Sequence, residues 1–140
     1  MKKNNRLIKK SSLIKNENGF IYKLVDLSHF KKKKISESYI STIKKNSIKA
    51  WKFHKKNTLN LFVIKGKVIF VIFTDGKFYK YIIDDTTFSR LTITNKMWYG
   101  FMGLNSNESQ ILCFTDYMHN EKEMLRKNIN EIYFDWDKYK

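Results

Sequence analysis

Apolar and polar positions alternate with a period of two through most of this chain, in short pieces. That period belongs to half-buried strands, whose successive side chains point to opposite faces. The segments that carry it are Ser38–Ile43, Ser47–His54, Leu59–Ile64, Lys67–Phe73, Phe78–Ile83, Arg90–Ile93, Tyr99–Leu104 and Gln110–Thr115. Turn residues punctuate them at Lys65-Gly66-Lys67, Asp75-Gly76, Asn95-Lys96, Gly103 and Asn105–Asn107, with Asn18-Gly19 and the basic run Lys31–Lys34 upstream. Asp75-Gly76 predicts a tight hairpin, since both central residues of a type I′ turn take positive φ. Many short strands with close turns predict an all-β sandwich or barrel. Glu121–Asn128 is the best helix candidate, which predicts a short helical segment near the C-terminus.

Two strands say more than their type. Val68–Phe73 is apolar on both alternating faces, so both must be covered. One face suits a barrel interior. The other calls for a second sheet or another chain, and a homodimer is the expectation. In Ser47–His54, strict alternation sets Ala50, Lys52 and His54 on one face and Lys49, Trp51 and Phe53 on the other. A lysine and a histidine sharing a face among apolar strands are costly unless that face borders a wet cavity. The alternative is an edge strand that turns ordinary charges to solvent.

Composition narrows the function classes. With 140 residues and 42% hydrophobic content, the chain is long enough for one core. A single domain over 1–140 is expected, with N-terminal strands and a basic loop over 1–34, the barrel over 35–118 and a tail over 119–140. No window approaches the apolar run of a membrane span. Met1–Arg6 is basic but leads into no long apolar stretch, so neither a signal peptide nor a membrane anchor is expected, and the location expected is cytoplasmic. Cys113 stands alone, which excludes an internal disulfide and a cysteine-based metal cluster; it reads as a small core residue.

A net charge of +15 raises the question of nucleic acid. Only Arg6, Arg90 and Arg126 among the 28 basic residues are arginine, although surfaces that fork phosphates or read bases favour it. Lysine spread over every segment, with no proline and abundant Asn, Ile, Phe and Tyr, fits an AT-rich coding sequence. A basic nucleic-acid-binding domain is therefore the lesser reading, and it entails binding that weakens steeply with salt.

From Ser38 to Trp136 the order of motifs resembles the cupin-type dTDP-4-dehydrorhamnose 3,5-epimerases and their relatives, the dTDP-4-keto-6-deoxyhexose 3,4-ketoisomerases. Upstream, Asn16-Glu-Asn-Gly19-Phe is similar to that family's early Asp-x-Arg-Gly turn. Lys49-Ala-Trp-Lys-Phe-His54 falls where the epimerases carry Arg-Gly-Leu-His-x-Gln and the ketoisomerases Arg-Gly-x-His-x-His. Leu59–Thr74 matches the next two strands, and Trp98-Tyr-Gly-Phe101 matches Ala/Trp-His-Gly-Phe. Thr115-Asp-Tyr117 with the acidic turn Glu121–Glu123 resembles Thr-x-x-Tyr, and Asn130–Trp136 resembles a terminal Ile-x-Trp. The resemblance implies a jelly-roll barrel of the cupin, double-stranded β-helix type, usually dimeric, with a nucleotide sugar in its mouth. It implies no cofactor.

The same resemblance exposes substitutions. Lys52 stands at the family's catalytic histidine, Leu112 at its tyrosine and Tyr99 at its second pocket histidine. No counterpart of the C-terminal stretch that supplies the family's orienting aspartate is expected after Trp136. A metal-type cupin site is not expected either, because His29, His54 and His119 are too dispersed.

Deprotonation beside a ketone needs a base, and positive charge where the enolate oxygen develops. Lys52 can fill either role. As a base it must be neutral near pH 7, against an ordinary ammonium value of about 10.4, which requires burial and a cationic neighbour such as Lys49. Left charged, it suits a diphosphate or an enolate. His54 is the better base, since an imidazole ordinarily titrates at about 6.5, and Tyr99 is the candidate proton donor. Lys49 replaces the family's diphosphate arginine as a point charge, and Trp51 and Tyr117 complete the expected substrate contacts. Against these roles stand a hydrogen-bonded strand histidine for His54 and aromatic packing for Tyr99 and Trp98. The expected function is a nucleotide-sugar isomerase or epimerase in surface-polysaccharide synthesis. The alternative is a catalytically silent relative that binds a nucleotide sugar or a partner protein.

Overall fold

The period-two segments fold as strands throughout residues 7–140, which the computed structural model describes; Met1–Arg6 lies outside the described residues. In chain order they are β1 (Ile8–Lys10), β2 (Leu13–Asn16), β3 (Gly19–Tyr22), β4 (Glu37–Ile43), β5 (Ile48–His54), β6 (Leu59–Lys65), β7 (Lys67–Thr74), β8 (Lys77–Asp84), β9 (Ser89–Ile93), β10 (Trp98–Gly103), β11 (Ser109–Thr115) and β12 (Met124–Arg126). The segments read from alternation become β4 to β11 within a residue or two. Asp75 (φ 53°) and Gly76 (φ 70°) make the hairpin between β7 and β8, where Thr74 pairs with Lys77.

Two five-stranded antiparallel sheets face each other as a jelly roll. One runs β1-β9-β6-β11-β4 and the other β12-β5-β10-β7-β8, while β2 and β3 form a separate ribbon. Inward side chains such as Leu61, Phe70, Ile72, Leu91, Phe101 and Ile111 build the main core. The ribbon lies over the outer face of the first sheet, where Tyr22 packs edge-on against Phe62 and Phe88.

β7 alternates as its sequence demands: Val68, Phe70 and Ile72 face the main core, and Ile69 and Val71 face out. The outward pair is covered by the C-terminal tail of the same chain, through Ile132 and Trp136, in a second core with Trp51 and Met102. Each such side chain gains about 1.5–3 kcal/mol from burial. The second apolar face of β7 therefore needs no partner chain.

Two expectations are overturned. Glu121–Asn128 is not a helix: residues 121–123 turn, and β12 pairs with the edge of β5, Met124 opposite His54, Leu125 opposite Phe53 and Arg126 opposite Lys52. Lys127 continues the ladder, its N–H and C=O both bonded to Trp51. Eight residues are too few to hold a helix by propensity alone, and the open edge of β5 offers a full set of hydrogen bonds. Helical geometry in the tail is limited to the 3₁₀ turn Trp136–Tyr139.

Strict alternation in β5 also fails. Tyr99 lies opposite Lys52 but Gly100 lies opposite Ala50, so Trp51 is an extra residue in a bulge, beside a cis Ala50–Trp51 peptide. A bulge of one residue resets which side chains share a face. Lys49 thereby comes opposite Phe101, with its Nζ 5.9 Å from that ring, on the inner side with Lys52. Ala50 and Trp51 go to the second core.

Candidate active site

His54 ends β5 with its ring buried on the inner side, clamped between two partners. Its Nδ1 lies 2.8 Å from Glu123 Oε2 and its Nε2 lies 3.1 Å from the Tyr99 hydroxyl. A carboxylate can only accept, so Nδ1 carries the proton; in the neutral ring Nε2 then accepts from Tyr99. Glu123 in turn is fixed by the chain after β5, since its Oε1 accepts the N–H groups of Lys56 and Asn57 at 3.0 and 2.9 Å. Burial alone would raise the Glu123 carboxyl. The hydrogen bonds from His54, Lys56 and Asn57 outweigh it and hold the group below its ordinary value. Burial first, then Cys113 and Glu123, push Tyr99 well up, so its phenol keeps its proton.

Lys52 is the register partner of Tyr99 on one side and of Arg126 on the other. Burial, then Arg126 and Lys49, lower its ammonium from the usual value. This is the direction a base needs, whereas a fixed cation needs the opposite, and it arises without a carboxylate partner within ion-pair distance among the described residues.

A cleft of about 600 Å³ opens here between β4, β5 and the segment after β12, lined by Ser41, Lys49, Lys52, Arg126 and Glu131 among others. Lys49 bridges it, donating from Nζ to the Thr42 carbonyl at 2.6 Å and the Ser41 hydroxyl at 3.2 Å. The lining is rich in cations, which suits an anion such as a diphosphate. His54 and Tyr99 lie next to the cleft, through Lys52, without lining it.

The structure thus brings Lys52, His54, Tyr99 and Lys49 together on one face. Trp51 borders the same cleft, although its side chain is packed into the second core, and Tyr117 is not among the residues that line it. Trp51 is 1% exposed, with its indole N–H donated to the Ile132 carbonyl at 3.1 Å and its ring against Trp136. Tyr117 follows β11, half-buried, with the ammonium groups of Lys32 and Lys34 each 5.5 Å from its ring. Leu112 pairs with Phe62 and Ile40 on the outer side of its sheet. The inward position is Cys113, opposite Tyr39 on β4, with its thiol pushed up to about 12 by burial. Glu123 and Tyr39 were not among the sequence candidates. For Glu123 a signal existed, the acidic turn before β12, but a helix assigned there hid its direction.

No family model and no curated protein matches the chain. Solved structures do. A dTDP sugar isomerase from Desulfovibrio desulfuricans superposes with a TM-score of 0.81 at 22% identity, covering 93% of this chain and 89% of that one. A dTDP-4-dehydrorhamnose 3,5-epimerase from Elizabethkingia anophelis gives 0.79 at 15% identity, over 92% and 79%. The fold is that of the dTDP-sugar epimerases and isomerases. A variant 3,4-ketoisomerase from Thermoanaerobacterium thermosaccharolyticum, in complex with TDP-4-keto-6-deoxyglucose, gives 0.72 at 16% identity over 87% and 88%. At such identities the likeness to this epimerase fold extends to the architecture, and the residues of the interior must argue for themselves.

Proposed function

We propose that this protein is a nucleotide-sugar isomerase or epimerase acting on a 4-keto-6-deoxy nucleotide sugar by removing a proton α to the ketone. The observation that carries the reading is the Glu123–His54–Tyr99 chain beside Lys52. It supplies a carboxylate-oriented base, a protonated phenol and a cation within one barrel interior. His54 Nε2 takes the proton from carbon; the C–H electron pair moves into the enolate, whose oxygen charge is met by the Lys52 ammonium. Tyr99 returns a proton to carbon, and the imidazolium then restores the phenol across their hydrogen bond. Lys49 and Arg126 hold the diphosphate at the cleft. The carbon and face that receive the proton decide between epimerisation and a keto shift. On this reading the protein serves surface-polysaccharide synthesis in the cytoplasm. It does so as a homodimer through the exposed apolar side chains of the first sheet, such as Ile40 and Ile64. Sedimentation equilibrium at twice 16.9 kDa is expected for that dimer.

The test is ¹H NMR of dTDP-4-keto-6-deoxyglucose with the protein in D₂O. Deuterium is expected to enter next to the ketone, with the rate in His54→Gln and Glu123→Gln lowered about 10²- to 10⁴-fold. A second reading, a silent relative that binds the nucleotide sugar, is favoured by one observation: His54 and Tyr99 satisfy each other and do not line the cleft. Tight binding of the sugar nucleotide with no deuterium entry would select it.

A further inference from the structure

At the opposite edge of the first sheet from β4, a larger cavity of about 870 Å³ lies between β1, the segment Lys23–His29 and β9. Its lining includes the cations Lys9, Lys10, Lys23 and Arg90 against one carboxylate, Asp26. That carboxylate is already engaged: Asp26 Oδ1 accepts both the N–H and the hydroxyl of Ser28, capping the short 3₁₀ turn Leu27–His29. The cations are left without an ion-pair partner within 4 Å among the described residues.

Arg90 shows the imbalance most clearly. It is half-buried, and its Nη1 lies 2.7 Å from His29 Nε2. The other ring nitrogen, Nδ1, accepts the Asp26 N–H at 3.0 Å. Burial, then Arg90, hold His29 toward its neutral form, with Asp26 opposing. A neutral imidazole has one acceptor nitrogen, not two. Arg90 Nε is met by Thr92 Oγ1 at 3.4 Å, but the Arg90–His29–Asp26 cluster is one acceptor short, and the remaining guanidinium donors of this half-buried group are ones an anion can meet.

We propose that this cavity is a second binding site, separate from the cleft at Lys52, for a small phosphorylated molecule whose phosphate rests on Arg90 and the flanking lysines. The cavity is far larger than a phosphate ion, so the ligand carries a body. The lining holds no Phe, Tyr or Trp, while the Ser12, Ser28 and Thr92 hydroxyls border it, those of Ser28 and Thr92 already donated to Asp26 and Asn60 and free only to accept. That lining suits a hydroxylated body such as a sugar, and its one ring, His29, is engaged at both nitrogens by Asp26 and Arg90. The inference does not depend on the reaction proposed above.

Titration of the full chain with ribose 5-phosphate, followed by calorimetry and ¹⁵N NMR, tests it. One-to-one binding is expected, with shifts confined to residues 9–12, 23–29 and 90–92, and with no response to ribose. Arg90→Gln is expected to weaken binding at least tenfold, and Lys52→Gln to leave it unchanged. Should Arg90→Gln fail to fold, Lys23→Gln, at an exposed position, is expected to weaken binding several-fold. Unchanged affinity in the folded variant, equal binding of ribose, or shifts centred on Lys49–Lys52 would overturn the proposal. So would capture on phosphatidic acid vesicles with no response to ribose 5-phosphate, which assigns the cavity to a lipid headgroup.

Discussion

Glu123 keeps its charge by hydrogen bonds from His54 and two backbone N–H groups, against the opposing effect of burial. A carboxyl held below its unfolded value contributes stability that is present above about pH 4.3 and is lost as pH falls through the lower, folded value. The wild type is therefore expected to lose thermal stability on acidification below that point. Glu123→Gln should cost about 1–3 kcal/mol at pH 7, and the gap to wild type should shrink toward pH 3. A gap of constant size across that range, measured by thermal unfolding, would contradict the assignment. At this scale the sequence was informative where periodicity held. Lys52 and His54 share a face because they are two apart, and Tyr99 joins them from the paired strand. Glu123 escaped because its partner is remote in sequence; Lys49 was a candidate, but its face was not legible, because one inserted residue reverses which way it points.

That inserted residue belongs to the element scale. The bulge at Trp51 draws β5 so close to β10 that a Cβ on Gly100 would lie 2.5 Å from Ala50 Cβ. Gly100→Ala is expected to destabilise by about 1–3 kcal/mol in urea unfolding. It should also disturb the Lys52–Tyr99 pairing that depends on this register. The tail makes a parallel case. Trp136, 4% exposed, packs on Trp51 and Phe134 over the outer face of β7. Trp136→Ala is expected to cost about 3–5 kcal/mol; a loss below 1 kcal/mol would deny the tail its covering role. The apolar run of β7 told that both faces were covered, but no local pattern told which segment covered the second. For Glu121–Asn128 the local preference was helical and the tertiary demand was not. An edge strand with open hydrogen bonds outweighed a run of seven good helix formers, Glu121 to Lys127.

Across the whole molecule, the eight strands β4 to β11, the β7–β8 hairpin and the all-β sandwich or barrel class follow from alternation and turns, because these are local. The jelly roll is implied only by the family resemblance, and β12 lies in a segment that reads as a helix. Cavities are not local, and both arise at sheet edges where remote segments meet: β5 with β12 at one edge, β1 with β9 at the other. The high lysine content is also distributed, yet its effect concentrates wherever a carboxylate is spent elsewhere, as at Asp26. One structural feature, the strand order, has a kinetic consequence. Apart from the β2–β3 and β7–β8 hairpins, each ladder joins strands that are not successive in the chain. Such wiring delays the reward for loop closure until distant partners arrive, so refolding from urea should take milliseconds to seconds. Completion within microseconds in a stopped-flow or temperature-jump trace would be inconsistent with it. Until the long loops close, the early β7–β8 ribbon waits with both apolar sides bare, and dilute conditions should be needed to recover soluble protein.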